Sequence, residues 1–185
     1  MMSNFKPVSA SKVVISELML PSHTNFSGKI HGGYILSLLD QIAFACASKF
    51  SGHYCVTASV DTVDFLAPIE VGELVTMKAS VNYVGKSSMV IGIRVEAENI
   101  QTGKVKHCNS SYFTMVAKDE TGQPTQVPGL ILATDNDLRR FYNCIKMIAN
   151  KKDKQNHEET FDYKSEEALA NLSKYNVSLD FTKKP

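Results

Sequence analysis

The stretch IHGGYILSLLDQIAFACASKF, Ile30 to Phe50, decides the fold of this chain of 185 residues. From Gly33 to about Phe50 it has apolar residues on nearly every side of a helix, and Asp40 is its single carboxylate. A helix that is apolar nearly all round has to be enclosed by other parts of the structure. The sequence therefore predicts a long central helix that other elements wrap.

The segments that supply this wrapping lie on both sides of the helix. Lys12 to Leu20 has the composition of a strand and stops at Pro21. After the helix, four long β-rich segments are separated by Pro, Gly and Asn at turns. They cover residues 54–66, 73–84, 88–99 and 104–117. One strand, one buried helix and a meander of four strands predict an α+β fold, with an antiparallel sheet wrapped on the helix.

The composition changes after Lys118. An apolar stripe at helical spacing predicts a docked helix, with Asp135 or Asn136 as its N-cap. Beyond Asn150, charges of both signs replace large aliphatic residues, so this part can bury little surface. Only SEEALANL, residues 165–172, has a helical pattern there. The predicted stripe consists of Leu138, Phe141, Tyr142, Ile145, Ile148 and Ala149.

Charge and composition exclude several classes of function. Lys and Arg number 20 against 19 Asp and Glu, so a formal net charge of +1 provides no overall field for nucleic acid or an anionic membrane. The N-terminus has no apolar run after a basic start, and no run approaches bilayer length, which predicts a cytoplasmic protein. The 4 cysteines lack CxxC spacing and the 5 histidines lack ligand spacing, so we expect reduced thiols and no metal site.

The pair Gly32 and Gly33 stands where the helix begins. A helix N-terminus presents unpaired backbone N–H groups and the positive end of the helix dipole, and glycine lets a ligand oxygen come close to them. The pair is therefore a candidate for polarising a carbonyl group. A tight turn, or close packing of the helix on the sheet, also explains two glycines here.

Asp40 shares a helix face with Leu36, Phe44 and Ala47, so we expect its carboxylate to be buried among apolar groups. Such a carboxylate can act as general base or nucleophile, unless a backbone donor or a lysine simply satisfies it. Gly33 and Asp40 lie about 10 Å apart along the helix at ~1.5 Å per residue. One reacting atom cannot touch both, so a second copy of the helix has to supply the complementary group. This spacing predicts a catalytic dimer.

A spaced motif leads into the helix. Its pattern, P-x-x-x-N-x-x-G-x-I-H-G-G followed by six residues and D, runs from Pro21 through Asn25 to Asp40. Together with VDFLAPIEVGE at residues 63–73 and VGKSS at residues 84–88, it resembles the signature of the hotdog-fold acyl-CoA thioesterases. The likeness covers residues 9–121, which we predict to be a hotdog domain. Residues 130–185 then form a C-terminal extension, helical and partly disordered.

The resemblance implies a reaction and an assembly. The reaction is hydrolysis of acyl-CoA to a free fatty acid and CoA, without a metal or redox cofactor. Asp40 would serve as base or nucleophile, Asn25 from a partner subunit would position substrate or water, and the amides of Gly32 and Gly33 would hold the thioester oxygen. The catalytic unit would be a homodimer, commonly assembled into a hexamer as a trimer of dimers.

CoA has to be bound by local features, because the net charge is close to zero. Asp64 and Phe65 belong to the stretch that the resemblance places along the pantetheine and acyl channel, although core packing also explains Phe65. Lys104 and Lys106 are weaker candidates for the CoA phosphates than a predicted strand-to-strand turn that offers a cation and two hydroxyl groups. That turn consists of Lys86, Ser87 and Ser88.

Two other functions remain open at this point. A non-catalytic acyl-CoA sensor or regulatory hotdog protein would use the same binding residues, and the C-terminal extension keeps this alternative alive. Hotdog hydratases and dehydratases pair a catalytic histidine with a carboxylate in a different loop context, which is not found around His31. The length of the acyl chain is not predictable, because one methylene changes discrimination by only about 1 to 3 kcal/mol.

Overall fold

The computed structural model describes residues 4–61, 63–160, 162 and 164–177. The chain forms two compact units, Met1–Ile145 and Lys146–Pro185. Every candidate site residue lies in the first unit. The predicted division into residues 9–121 and 130–185 stays a prediction.

The first unit consists of a long helix and an antiparallel sheet, which confirms the predicted α+β hotdog architecture. Its elements are β1 (Phe5–Pro7), β2 (Val13–Leu18), α1 (Gly32–Ser51), β3 (Tyr54–Val60), β4 (Asp64–Phe65), β5 (Glu73–Val84), β6 (Ser88–Asn99), β7 (Lys104–Lys118) and β8 (Gly129–Ile131). A further helix, α2 (Asp135–Thr160), begins in this unit, and α3 (Glu166–Asn171) lies in the second. Strands β1 and β8 form a separate parallel pair.

Helix α1 begins and ends within one residue of its predicted limits. At its start, the N-cap residue His31 accepts a hydrogen bond from the backbone of Gly33 through its imidazole Nδ1. At its end, Gly52 adopts φ 79° and donates its N–H to the carbonyl of Ser48 at 2.9 Å. Glycine takes this left-handed conformation without a steric penalty, which ends the helix sharply.

The order of the strands differs from the predicted meander. The main sheet has the order β2-β5-β6-β7-β3, and β4 also pairs with β7. Strand β3 lies antiparallel to β7, from Tyr54 opposite Lys118 to Val60 opposite Phe113. The meander is therefore correct for β5, β6 and β7 and wrong for β3. Because α1 carries the chain from the β2 edge of the sheet to the β7 edge, β3 enters beside β7.

The hydrophobic core lies between α1 and the concave face of the sheet. Its fully buried side chains come from one side of α1 and from alternate positions of the strands, as expected for a sheet with one face on a helix. The largest of them are Ile35, Leu39, Ile42, Phe50, Val75, Met77, Val81, Met89, Ile91, Phe113 and Met115.

Helix α2 packs through a face that coincides only in part with the predicted stripe. Cys144 is fully buried, and Phe141 packs against Tyr83 on β5 with ring centroids 5.5 Å apart. The Cys144 thiol is small, so it adds little to a hydrophobic pattern in which larger side chains dominate, and the predicted stripe omits it. The stripe is therefore wrong at four positions, where the residues are exposed: Leu138, Tyr142, Ile145 and Ala149. The predicted helix at residues 165–172 is confirmed by α3 and the 3-10 turn that follows it.

Glu96 on β6 links two cations. Its carboxylate lies 2.6 Å from Lys78 Nζ and 2.7 Å from Arg94 Nε, and these hydrogen bonds lower the pKa of Glu96 from its ordinary 4.5 to about 2. Since the folded pKa lies below the unfolded one, the interaction stabilises the fold above pH 4.5 and is lost as the pH falls towards 2.

Replacing Glu96 with Gln should lower the free energy of unfolding at neutral pH by about 1 kcal/mol, a value kept small because both cations are partly exposed. The difference from wild type should shrink as the pH approaches 2, as measured by urea unfolding across this range. Glu98→Gln is the matched control, because Glu98 forms no ion pair with Lys or Arg in the described part of the chain. A loss that is equally large at acidic pH would contradict the prediction.

Candidate active site

The first turn of α1 contains the two candidate oxyanion donors. The N–H of Gly33 donates to His31 Nδ1 at 2.9 Å, so within one chain this amide is occupied. Gly32 is the first helical residue, and its N–H has no intrahelical acceptor. A Cβ atom at Gly32 would lie 3.4 Å from the ring of Phe65. Glycine at position 32 is therefore explained both by the close packing of the Phe65 ring and by the need to leave the Gly32 N–H accessible.

Asn25 organises the loop that leads into α1. Its Oδ1 accepts hydrogen bonds from the N–H of Ser27 at 2.9 Å, from the hydroxyl of Ser27 at 2.7 Å and from the N–H of Lys29 at 3.2 Å. Its own N–H donates to the carbonyl of Lys29 at 2.8 Å. The side-chain oxygen is thus committed to the loop, which leaves Nδ2 as the atom that can donate to a ligand.

A second polar group anchors the helix start to β2. The hydroxyl of Tyr34 donates to the carboxylate of Glu17, and this hydrogen bond, together with burial, raises the pKa of Tyr34 to about 12. The ring of His23 stacks on Tyr34 with centroids 3.9 Å apart. No sequence pattern indicates this group, because its members come from a strand, a loop and a helix. The contacts fix the position of the loop against the helix.

Asp40 is exposed in the single chain, so the prediction that it is buried is wrong. Its Oδ1 accepts a hydrogen bond from Thr57 Oγ1 on β3 at 2.6 Å. On the same face Leu36 is 37% exposed and Phe44 39% exposed, because this side of α1 lies along the edge strand β3 and is not covered by the rest of the sheet. Only Ala47, further along the helix, is fully buried. The result is a carboxylate in an uncovered, largely apolar surface.

Thr57 is a candidate site residue that sequence reasoning missed. No motif distinguishes it from other strand residues, and its contact with Asp40 depends on β3 lying beside α1. The short distance and the charged acceptor make this a strong hydrogen bond. Thr57 therefore fixes the orientation of the Asp40 carboxylate.

The candidate CoA turn joins β5 to β6. The carbonyls of Lys86 and Ser87 accept hydrogen bonds from the N–H groups of Val127, at 3.1 Å, and Ala117, at 2.9 Å. The Lys86 side chain is exposed, whereas Ser87 and Ser88 are half-buried. The backbone of the turn is thereby fixed while its cation remains accessible to an anion.

Asp64 and Phe65 form β4, at the edge of β7. The side chain of Asp64 is exposed, and its carbonyl accepts a hydrogen bond from Asn109 Nδ2 at 2.9 Å. Phe65 is 49% exposed although its ring covers Gly32, so it is not a core residue. Phe65 therefore lies beside the glycines at the start of α1.

The structure brings only some of the candidates together within one chain. Phe65 meets the glycines at the start of α1, and Asp40 lies two turns further along. The loop before α1 bonds to Ile69, ahead of β5, through the N–H of Ile30 at 3.0 Å. Lys86 follows the opposite end of β5, and the strand between spans about 40 Å at ~3.3 Å per residue. The CoA turn is therefore far from the helix start of its own chain.

Neither a metal-binding cluster nor a membrane-spanning helix occurs among the described residues. No three His, Cys, Asp or Glu side chains in that part of the chain could together hold a metal ion. No helix there is both long and apolar enough to cross a membrane. All cysteines are free and buried, and burial raises the pKa of Cys46 and of Cys144 to about 12. These two thiols are poor nucleophiles at neutral pH.

The central part of the chain matches a known protein family. The model of the thioesterase superfamily matches residues 27–104 of the chain. The chain is similar to protein VdlD of Helicobacter pylori, with 43% identity over 136 residues that cover 74% of this chain and 78% of VdlD.

Solved structures are similar over most of the chain as well. An apo-hexameric acyl-CoA thioesterase has a TM-score of 0.80 and 34% identity, with 82% of this chain and 97% of the other covered. The acyl-CoA hydrolase of Staphylococcus aureus, in complex with butyryl-CoA, CoA and CoA disulfide, has a TM-score of 0.77 and 29% identity, with 91% and 99% covered. Variants of that enzyme with an aspartate, an asparagine or a threonine changed to alanine are also similar.

Proposed function

The chain belongs to the thioesterase superfamily, and on that premise we propose that it hydrolyses the thioester bond of fatty acyl-CoA to give a free fatty acid and CoA. One observation carries the proposal: Asp40 presents an ionisable carboxylate on an uncovered face of α1, oriented by Thr57 at 2.6 Å. The asparagine, aspartate and threonine replaced in the S. aureus variants are residue types that this site also contains, as Asn25, Asp40 and Thr57.

In the proposed reaction Asp40 takes a proton from water while the water oxygen bonds to the thioester carbon. The N–H of Gly32 donates to the resulting oxyanion, joined by that of Gly33 when a substrate oxygen replaces His31 as its acceptor. When the intermediate collapses, the C–S bond breaks and the CoA thiolate takes the proton back from Asp40. Water is the only co-reactant of this proposed mechanism, and none of its steps is assigned to a metal or redox cofactor.

Asp40 acting as nucleophile is the alternative route. Its oxygen would bond to the thioester carbon and expel the thiolate, and water would then cleave the mixed anhydride. A single turnover in ¹⁸O-labelled water detects this route when water attacks the Asp40 side of the anhydride. Direct water attack labels only the fatty acid, whereas attack of water on the Asp40 carbonyl of the anhydride would leave the label in the Asp40 carboxylate.

The proposed catalytic unit is a homodimer. The α1 face that carries Asp40 is uncovered, and the neighbouring strand β3 is the edge of its sheet, with Tyr54 65% exposed and Val60 47% exposed. An unpaired edge beside an apolar surface is suited to a second copy of the chain. The partner would bring its Asn25 and helix start to Asp40. We extend the proposal to a trimer of dimers, supported by the hexameric thioesterase.

The proposed CoA contacts follow from the same assembly. Lys86, Ser87 and Ser88 would bind phosphate oxygens, and Asp64 and Phe65 would lie along the pantetheine. Because the turn is distant from its own helix start, it would serve a site completed by another subunit. The buried, reduced cysteines suit a reducing compartment, so we also propose that the protein is cytoplasmic.

The proposed activity can be tested with a thiol-release assay over acyl-CoA esters of increasing chain length. Hydrolysis of at least one ester is expected, and the series also determines the preferred chain length. If the protein bound acyl-CoA and released no thiol from any ester, the activity would be excluded and a sensor role favoured.

Thr57→Val should lower kcat by about 10- to 100-fold, because a hydrogen bond to a charged group contributes about 1.5 to 3 kcal/mol and its loss leaves the Asp40 carboxylate misoriented. KM should change little. Thr57→Ser keeps the donor hydroxyl and should retain most of the activity. Wild-type kcat in the Val variant would remove Thr57 from the mechanism.

A further inference from the structure

A cavity of about 800 Å³ lies on the sheet face opposite α1. Met77, Ala79 and Val81 belong to the core against α1, so the alternate side chains of Lys78 and Ser80 face the other side of β5, where the cavity lies. Ligand sites commonly measure about 300 to 1,000 Å³. The cavity is therefore large enough for a small organic molecule.

Two adjacent rows of residues across β5, β6 and β7 form the floor of this cavity. Each row contains residues that the strand register places side by side. The rows are Lys78, Arg94 and Ser110, and Ser80, Gly92 and Tyr112.

The centre of the floor is a buried polar surface. Ser80 and Asn82 are only 3% and 4% exposed, and the Ser80 hydroxyl donates to Asn82 Oδ1 at 3.0 Å. A Cβ atom at Gly92 would lie 2.0 Å from Asn82 Nδ2, so glycine is needed for Asn82 to lie across the floor. From α2, Arg140 donates to the Ser80 hydroxyl at 3.4 Å.

The cavity concentrates positive charge. All three arginines of the chain line it, together with two lysines, although the whole chain has a formal net charge of only +1. Asp137 is the one carboxylate among the lining residues, and it accepts backbone hydrogen bonds at the start of α2. The lining cations are Lys12, Lys78, Arg94, Arg139 and Arg140.

Three of these cations have no carboxylate partner among the residues that the structure describes. Glu96 pairs with Lys78 and Arg94, whereas in the described part of the chain no carboxylate forms an ion pair with Lys12, Arg139 or Arg140. Among the described residues, Arg139 donates to a neutral oxygen, Asn136 Oδ1, at 2.7 Å. Unneutralised arginines beside a buried polar floor are suited to an anion with several oxygen atoms.

We propose that this cavity binds a small organic molecule that bears phosphate groups, at a site separate from the thioester. The guanidinium groups of Arg139 and Arg140 and the ammonium group of Lys12 bind phosphate oxygens. Tyr112 and the apolar wall residues Val13 and Val14 receive the organic part. The sheet separates this cavity from the Asp40 face, so a ligand here does not occupy the thioester site of the same chain.

The test is calorimetric titration of the assembled full-length protein with pyrophosphate, ADP and CoA at low and high salt. We expect binding by at least one probe that weakens as salt increases. The double variant Lys12→Gln, Arg139→Gln should bind that probe at least tenfold more weakly and keep wild-type thermal stability and turnover. Arg140 is retained because it also bonds to Ser80. Lys146→Gln, an exposed lysine of α2 outside the cavity lining, is the matched control.

The probes distinguish two sources of the phosphate groups. If ADP or pyrophosphate binding is lost in the double variant and CoA binding is unchanged, the ligand is a free phosphorylated molecule. If CoA binds to two classes of site in wild type and one in the variant, the ligand is the nucleotide half of CoA. If no probe depends on Lys12 and Arg139, the proposal is wrong. Binding is measured without turnover, so this result is independent of whether the thioesterase function holds.

Discussion

Asp40→Asn should lower kcat for acyl-CoA hydrolysis by roughly two to four orders of magnitude, the range expected when a general base is lost. Asn has the same shape as Asp, and its Oδ1 can still accept the hydrogen bond from Thr57. Because Asp40 is exposed in the protomer, the substitution should leave folding intact. The measurement is steady-state thiol release, with circular dichroism and the oligomeric state as checks.

Gln41→Ala is the matched control for this experiment. Gln41 is the next residue of α1 and is exposed, and its side chain donates a long hydrogen bond of 3.5 Å to Ser37, which is not a candidate site residue. We expect it to keep kcat within about twofold, as for a surface change that costs no more than ~0.5 kcal/mol. A folded Asp40→Asn protein with wild-type turnover would exclude Asp40 as base or nucleophile.

The second large effect is recovery of activity in mixed oligomers. Asp40 is about 10 Å from the start of its own helix at ~1.5 Å per residue, so one thioester cannot contact both within one chain. If Asn25 and the glycine amides come from one subunit and Asp40 from the other, two inactive variants can restore each other. We therefore expect activity to return when Asn25→Asp chains and Asp40→Asn chains are combined.

The choice of Asn25→Asp follows from the structure. The three hydrogen bonds that hold the loop are accepted by Oδ1, so Asp can preserve them while it replaces the Nδ2 donor by a charged acceptor oxygen. Asn25→Ala would lose all of them and disturb the loop that leads into α1. Each variant has to be nearly inactive alone, and the chains are co-expressed with different affinity tags so that mixed oligomers can be isolated.

The size of the recovery follows from two-fold symmetry. Random pairing makes about half of the dimers mixed, and each mixed dimer has one intact site and one doubly damaged site, so activity should approach about a quarter of wild type. Purified mixed dimers should reach about half. If verified mixed dimers stay as inactive as their parents, Asn25 and Asp40 do not act across an interface.

Much of the fold could be predicted because its signals are local. The apolar run after Gly33 determines α1, and the predicted helix and the strands at residues 73–84, 88–99 and 104–117 agree with the structure to within one residue. The predicted strand at residues 54–66 is wrong in its length, because the structure divides it into β3 and β4. The place of β3 could not be predicted, because β-rich composition identifies a strand without identifying its neighbour. The packing face of α2 was missed for a related reason, since Cys144 carries a weaker hydrophobic signal than Leu138.

Some features of the candidate site could likewise be predicted from the sequence, and others could not. Gly32, Gly33, Asn25 and Asp40 were found from a linear motif, and the structure adds which of their atoms are occupied. The exposure of Asp40 could not be predicted, because an apolar helix face is buried either by its own sheet or by another chain, and sequence periodicity is the same in both cases.

The sequence by itself determined that the chain is a helix wrapped by an antiparallel sheet, and it identified one carboxylate and two glycines at a fixed helical spacing. Tertiary structure alone decided that Thr57 orients Asp40, that the Asp40 face is uncovered and that all three arginines line one cavity. Helical and strand periodicities relate residues a few positions apart and are therefore readable in the sequence. Contacts between distant segments depend on how the elements pack, which no local pattern records.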